Sequence, residues 1–177
     1  MLDPETKYTN TAGQLQIVEP VAGGVGLTAD VLLHSVPSTV ITRSGTPELG
    51  ETYVFETEML QLSLSGGGSV LNLPVSGEIM TAPRTPGDPV QSFDTDMVRL
   101  QGQLPPGDPD FDLLRITAGT AFGMPSPGHT TLTQLPGGNW NIDSFFDITY
   151  RIDFVGRPGG HLSGMSGSTT GTIRLAS

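Results

Sequence analysis

Hydrophobic and polar residues alternate along much of this chain with a period of two, which is typical of β-strands. Segment 144–154 is the clearest case, because its large apolar residues occupy every second position: Phe146, Ile148, Tyr150, Ile152 and Phe154. Polar residues occupy the positions between them: Asp147, Thr149, Arg151 and Asp153. Successive side chains of a strand point to opposite faces, so the pattern predicts a central strand with its apolar side buried. Burying each of these apolar side chains is worth roughly 1.5–3 kcal/mol.

Shorter segments of the same kind predict about nine to twelve strands in all. Segment 30–36 fits either one helical turn or a strand. The other predicted strands are 14–19, 39–42, 51–65, 70–75, 78–82, 130–135 and 172–176. Within 51–65 the apolar set changes sides at Met59–Leu60, which predicts a β-bulge or a strand that crosses between two sheets.

A near-repeat occupies the middle of the chain. Pro86-Gly87-Asp88-Pro89 precedes one apolar segment, and Pro106-Gly107-Asp108-Pro109 precedes another about 20 residues later. Proline fixes φ and lacks a backbone donor, so both motifs must lie outside a central ladder. We therefore predict two equivalent turns, each leading into a strand.

The amino-acid composition indicates β-structure along the whole chain. Glycine and proline occupy 24 and 15 of the 177 positions, too many for a helical bundle and typical of short strands joined by tight turns. We predict an all-β protein, an antiparallel two-sheet sandwich of jelly-roll type with little or no helix. Residues 1–177 are expected to form one domain, with 1–13 as a loose or extended N-terminal arm.

Charge and cysteine content exclude several functional classes. The net charge is −10 and Lys7 is the only lysine, so no basic patch can neutralise nucleic-acid phosphates. The absence of cysteine removes disulfides, thiolate metal ligands and thiol nucleophiles. No apolar run is long enough to span a membrane, and no signal peptide is recognisable, so we expect no membrane insertion. The acidic, lysine-poor composition favours an extracellular or cell-surface protein, as a mature form or a module of a longer precursor.

Six aspartates lie in the repeated region and are the candidate metal ligands: Asp88, Asp94, Asp96, Asp108, Asp110 and Asp112. Carboxylates on turns are the hard oxygen ligands that Ca²⁺ prefers. The spacing of the last three resembles the start of an EF-hand loop, but the glycine and glutamate that complete such a loop are missing. The alternative is that these aspartates cap backbone amides in turns.

Trp140, the only tryptophan, is flanked by Asn139 and Asn141 beside a Gly-Gly turn. Aromatic rings with amide neighbours are typical of surfaces that stack on sugars, so these three residues are the candidate carbohydrate site. The alternative is that the indole closes one end of the core.

The histidines do not predict a metal or catalytic site. His34, His129 and His161 lie in separate segments without metal-ligand spacing. No Gly-x-Ser-x-Gly elbow follows a strand, and the sequence therefore predicts no catalytic residue.

One part of the chain resembles known proteins. Segments 127–133, 138–140 and 143–154 are similar to β-rich modules of large secreted bacterial surface proteins. This resemblance covers about a quarter of the chain, and it implies an extracellular module without an assigned activity or catalytic residue.

Together these features predict a non-catalytic extracellular structural or adhesive β-module, and they are compatible with a self-assembling subunit of a surface fibre. Its expected partners are further copies of itself, in a homo-oligomer or filament, or other surface proteins. A polar arm and a short strand at 14–18 favour donation of residues 8–19 to the sheet edge of the next subunit. The alternative function is a calcium- or carbohydrate-binding module.

Overall fold

The structure is a computed structural model that describes residues 6–20, 26–65 and 68–177. It is all-β, as predicted, and its strands pair antiparallel. Helical structure in the described part is limited to one 3₁₀ turn at Thr120–Phe122. The strands are β1 Tyr8–Ala12, β2 Leu15–Val18, β3 Leu27–His34, β4 Val40–Thr46, β5 Gly50–Leu64, β6 Val70–Thr81, β7 Val90–Gln103, β8 Phe111–Ala118, β9 Pro127–Gln134, β10 Trp140–Gly156 and β11 Ser166–Ala176.

The pairing of these strands closes on itself. Ten strands follow the order β2-β3-β1-β11-β10-β8-β7-β6-β5-β4, and a further pairing joins β3 to β5. The strands from β3 round to β5 therefore form a closed circuit of hydrogen-bonded neighbours. Their inward side chains form one continuous hydrophobic cluster with contributions from both halves of the chain.

Two short strands share one place between the long strands β7 and β10. β9 pairs with the first half of each long strand, and β8 pairs with the second half of each. The turn between β9 and β10 therefore brings the start of β10 to one end of the molecule, together with the start of β7. The candidate site lies at this end.

The prediction for the central strand is confirmed. Along β10 the five apolar residues from Phe146 to Phe154 are buried, whereas Arg151 is exposed and Asp147 and Thr149 are partly exposed. β10 pairs on one side with β11 and on the other with β9 and β8. Pairing on both sides makes β10 a central strand, and the alternation of its side chains between two faces explains the period-two burial.

The bulge in β5 exists, but at a different position from the one predicted. Pairing with β6 shifts between Phe55 and Glu58, and Thr57 has a positive φ of 60°. The buried residues of β5 are odd-numbered before the bulge, up to Phe55, and even-numbered after it, from Glu58 onward. The sequence pattern predicts the change at Met59–Leu60, because Leu60 is the first apolar residue of the new face and the buried Glu58 is polar.

Three other expectations need correction. The segment 8–12, predicted as part of a loose or extended arm, is a strand that pairs with β3 and β11 inside the sheet. The segments 70–75 and 78–82 form one continuous strand, because Gly77 packs against the Phe55 ring and the Arg99 carbonyl without a break in pairing. The final strand begins at Ser166 rather than at Thr172. Segment 30–36, for which a helical turn and a strand were both open, lies largely in strand β3.

The two Pro-Gly-Asp-Pro motifs each form a turn that leads into a strand, as predicted, but the turns are not equivalent, because Gly107 has a positive φ of 103° and Gly87 does not. The first precedes β7 and the second precedes β8. Across the described ranges, no helix has the length and hydrophobicity needed to cross a bilayer.

Candidate functional site

A pocket of about 770 Å³ lies beside Trp140 at the end of the molecule where β7 and β10 begin. We call it the Trp140 pocket. Its described lining combines prolines, apolar side chains, two amides and two arginines: Arg43, Pro47, Arg84, Pro86, Gln91, Leu132, Leu135, Gly138, Asn139, Trp140 and Ile142. Pockets that bind small molecules measure about 300–1,000 Å³ and place a few polar groups on a largely apolar wall.

Trp140 reaches the pocket because of the turn that precedes it. Gly137 and Gly138 have φ angles of 101° and 91°, which residues with a side chain rarely adopt. The turn is closed by hydrogen bonds from the Gly138 amide to the Leu135 carbonyl and from the Leu135 amide to the Asn139 carbonyl. β10 therefore starts at Trp140, whose side chain remains 39% exposed.

A buried carboxylate lies beside the two arginines. Glu51 faces inward on β5, with the same parity as Tyr53 and Phe55. Its Oε2 accepts hydrogen bonds from the Tyr53 hydroxyl at 2.8 Å and from Arg84 Nη2 at 2.6 Å. Arg43 of the neighbouring strand β4 pairs with Oε1. Two cations therefore share one anion.

Glu51 is ionised despite its burial. Desolvation raises its pKa, but the hydrogen bonds from Tyr53 and Arg84, the charge of Arg84 and the contact with Arg43 together outweigh that effect. The pKa of Glu51 is therefore held below its ordinary value. The trio of Arg43, Arg84 and Glu51 consequently carries a net charge of +1 near neutral pH.

Arg84 is fixed in place by three kinds of contact. Its Nε donates to Gln91 Oε1 at 3.2 Å, its backbone amide donates to the Pro47 carbonyl at 2.7 Å, and its guanidinium lies 4.6 Å from the centre of the Phe93 ring. The Arg84 side chain is only 4% exposed, and its Nη1 is buried without a hydrogen-bond acceptor. An unpaired buried donor is costly, so this nitrogen is available to an acceptor.

The first Pro-Gly-Asp-Pro turn forms part of the pocket wall. The Gln91 side-chain amide donates to the carbonyls of Pro86 and Asp88 at 3.0 and 3.1 Å. Gln91 thus links the turn to Arg84. The first copy of the repeated motif therefore helps to shape the pocket.

The structure places two of the three predicted carbohydrate residues at the pocket. Asn139 and Trp140 line it. Asn141 is exposed, and strand alternation puts its side chain on the opposite face of β10 from Trp140. Asn141 is therefore not part of this site.

The six predicted calcium ligands lie apart along the chain's turns and strands. Asp108 Oδ1 accepts hydrogen bonds from the amides of Asp110 and Phe111 at 2.8 and 3.1 Å, which is the turn-capping alternative. Asp110 bonds His161, and Asp96 accepts from the Thr120 hydroxyl.

The remaining three candidates are Asp88 in the first turn, Asp94 on β7 and Asp112 on β8. Among residues 6–20, 26–65 and 68–177, no three histidine, aspartate or glutamate side chains are grouped as a metal ion requires. Calcium binding stays a prediction that this arrangement does not support.

One cluster that the sequence did not predict has the atomic order of a serine protease triad. Ser92 Oγ lies 2.7 Å from His129 Nε2, and His129 Nδ1 lies 2.9 Å from Asp94 Oδ1. The pairing of β7 with β9 brings Asp94 directly opposite His129. Asp94 is 86% exposed, however, and none of the three residues lines the Trp140 pocket. A solvated aspartate orients an imidazole weakly, and a hydrolase also needs fixed donors for the oxyanion.

The sequence could have indicated one buried residue beside the pocket that it missed. Glu51 has the inward parity of Tyr53 and Phe55, and a carboxylate at an inward strand position must either be paired with a cation or be held neutral by a raised pKa. No local pattern marks Arg84, which lies in a loop, or Gln91, which is brought to it by the fold.

Comparison with protein-family models, with curated proteins and with solved structures finds no match for this chain.

Proposed function

We propose that this protein is a non-catalytic adhesive module that binds carbohydrate in the Trp140 pocket. The observation that carries this proposal is a partly exposed tryptophan in a pocket that is also lined by its neighbour Asn139. The flat indole offers apolar area to the C–H face of a sugar ring, and the Asn139 amide can bond its hydroxyls. The pocket volume suits one or two sugar rings.

The proposal includes an extracellular or cell-surface location and the absence of catalysis. The acidic, lysine-poor composition supports the location. We also infer that the closed circuit of strands packs as two layers, in the manner of a sandwich, because strands from opposite parts of the circuit contribute to one core cluster. A rigid scaffold of this kind suits a module that holds a binding site at one end.

A glycan array followed by calorimetric titration of its strongest ligand tests the proposal. We expect saccharide binding that Trp140→Ala weakens on the order of tenfold or more, because the variant removes the central aromatic contact. Phe122→Ala is the matched control, since Phe122 is also an exposed aromatic but lies in the 3₁₀ turn. Equal affinity of the two variants, or an array without ligands, contradicts the proposal.

A second candidate function, self-assembly, is supported by the edge strand β4. The predicted donation of residues 8–19 is not favoured, since β1 and β2 pair within their own chain. On β2, the Gln16 amide donates to the Tyr150 hydroxyl, and the Ile17 carbonyl accepts from Thr169 Oγ1. In the described residues β4 pairs only with β5, and it carries no lysine to discourage pairing.

Light scattering of the purified chain over a concentration series tests the second candidate. If β4 recruits another copy, the mass rises with concentration, and Val40→Lys on the exposed side of β4 reduces association. Val155→Lys provides the control, because Val155 is exposed on the doubly paired strand β10. A monomer at all concentrations excludes assembly by this edge.

A further inference from the structure

Two arginines meet one carboxylate at the Trp140 pocket, and this imbalance bears on the kind of saccharide that binds there. Arg43 and Arg84 both line the pocket, whereas Glu51 is not part of the lining and is fully covered. A ligand therefore meets the positive side of the trio. The protein as a whole carries −10, so a local excess of positive charge stands out against its surroundings.

The two arginines offer different contacts. Arg43 is 45% exposed, so its guanidinium can approach a ligand while it remains beside Glu51. Arg84 is buried and rigid, with Nε and Nη2 bonded and Nη1 without an acceptor. Guanidinium groups bind carboxylates and sulfates with paired, charge-assisted hydrogen bonds.

We propose that the Trp140 pocket selects an acidic saccharide, whose carboxylate or sulfate group binds Arg43 and reaches Arg84 Nη1 while a sugar ring stacks on Trp140. This inference rests on the proposed function and narrows its ligand class. Neutral sugars can use Trp140 and the Asn139 amide, but their hydroxyls give Arg43 and Arg84 no hydrogen bond between opposite charges. The preference for acidic over neutral saccharides therefore comes from the arginines, and the affinity for the sugar ring comes from the indole.

Calorimetry with matched trisaccharides tests the inference. The probes are uronic acid, sulfated and neutral trisaccharides, each in a galacto and a gluco series. Hydrogen bonds to charged groups predict binding of an acidic probe about 10- to 100-fold tighter than its neutral counterpart. The uronic and sulfated arms show which anion is preferred. Because Arg43 is partly exposed, this preference should decrease as salt is raised from 50 to 500 mM.

The variant Arg43→Gln separates the arginine contribution from the stacking contribution. It should reduce the ratio of acidic-probe to neutral-probe affinity to a few-fold, because it removes the exposed cation that the anionic group contacts. Arg115→Gln is the control, because Arg115 is similarly exposed and pairs with Asp153 on another part of the surface. It should leave the preference unchanged.

The outcomes distinguish the two proposals. Equal affinity for acidic and neutral probes overturns the acidic selectivity but leaves the carbohydrate-binding function intact. An unchanged preference in Arg43→Gln likewise overturns the inference. Failure of every probe, together with an empty glycan array, overturns both.

Discussion

The buried carboxyl of Glu58 should make the stability of this protein depend on pH in a predictable direction. Glu58 follows the bulge in β5 and is only 2% exposed. It faces a small space lined by side chains such as Tyr8, Leu33 and Phe55, and its Oε1 accepts a hydrogen bond from the Ser35 hydroxyl at 3.2 Å. Burial raises its pKa from 4.5 to about 7, against the lesser effect of the Ser35 hydrogen bond.

The sign and size of the effect follow from linkage. Because the folded-state pKa is raised, the folded state binds the proton more tightly than the unfolded state. The contribution to stability is complete below about pH 4.5 and is lost as the pH rises to about 7. A difference of about 2.5 pKa units, at about 1.4 kcal/mol each, gives a loss of about 3 kcal/mol between pH 4 and pH 8.

Urea denaturation of the wild type and Glu58→Gln at pH 4, 6 and 8 measures this loss. Glutamine keeps the shape and can bond Ser35, but it cannot ionise. The free energy of unfolding of Glu58→Gln, relative to the wild type, should therefore increase by about 3 kcal/mol from pH 4 to pH 8. The other titrating groups are common to both proteins and cancel in this comparison.

Glu56→Gln serves as the matched control, because Glu56 lies on the exposed side of the same bulge. Its stability relative to the wild type should vary with pH by much less than that of Glu58→Gln. A flat difference between Glu58→Gln and the wild type would refute the reasoning. It would mean that the carboxyl reaches water or a cation in the folded state.

Four further predictions concern the core, the turn, metal and catalysis. Ile152→Ala should lower the free energy of unfolding by about 2–5 kcal/mol and Arg151→Ala by about 1 kcal/mol or less, which urea denaturation can measure; similar losses would contradict the assigned faces of β10. Gly138→Ala should cost about 1–2 kcal/mol, because alanine disfavours its positive φ; no loss would contradict the turn geometry. The melting temperature should be the same in 5 mM calcium and in EDTA, and a higher melting temperature in calcium would support the predicted metal site. A fluorophosphonate probe should not label Ser92 in intact-mass spectrometry, whereas covalent labelling would contradict the non-catalytic assignment.

Much of the fold follows from local alternation in the sequence. The burial of β10 and a count of about nine to twelve strands were predictable, because period-two patterning is imposed by the pleat itself, and the described residues form eleven strands. Strand order and closure were not predictable, because they depend on pairings such as that of Tyr8 with Leu33, far apart in sequence. The bulge at Thr57 was predicted in kind but misplaced, since a buried glutamate does not look apolar in the sequence.

Only part of the candidate site could be predicted from the sequence. Trp140 and Asn139 stand out because a lone tryptophan beside a Gly-Gly turn is a local signal. Arg43, Glu51 and Arg84 come from different segments, and only the pairing of β4 with β5 and the loop after β6 bring them together. The acidic turns stood out equally in the sequence, but only Asp108 caps local backbone amides, and the side chains of Asp94, Asp96 and Asp110 bond residues from distant segments.

A titration followed by ¹⁵N–¹H correlation NMR tests the central claim most directly. Trp140 is the only tryptophan, so its indole N–H gives a single side-chain resonance of this type. On addition of the acidic trisaccharide that binds best, this resonance and the backbone amide of Asn139 should shift together and saturate at one affinity. Saturable shifts confined to other parts of the surface, with the indole resonance unmoved, would contradict carbohydrate binding in the Trp140 pocket.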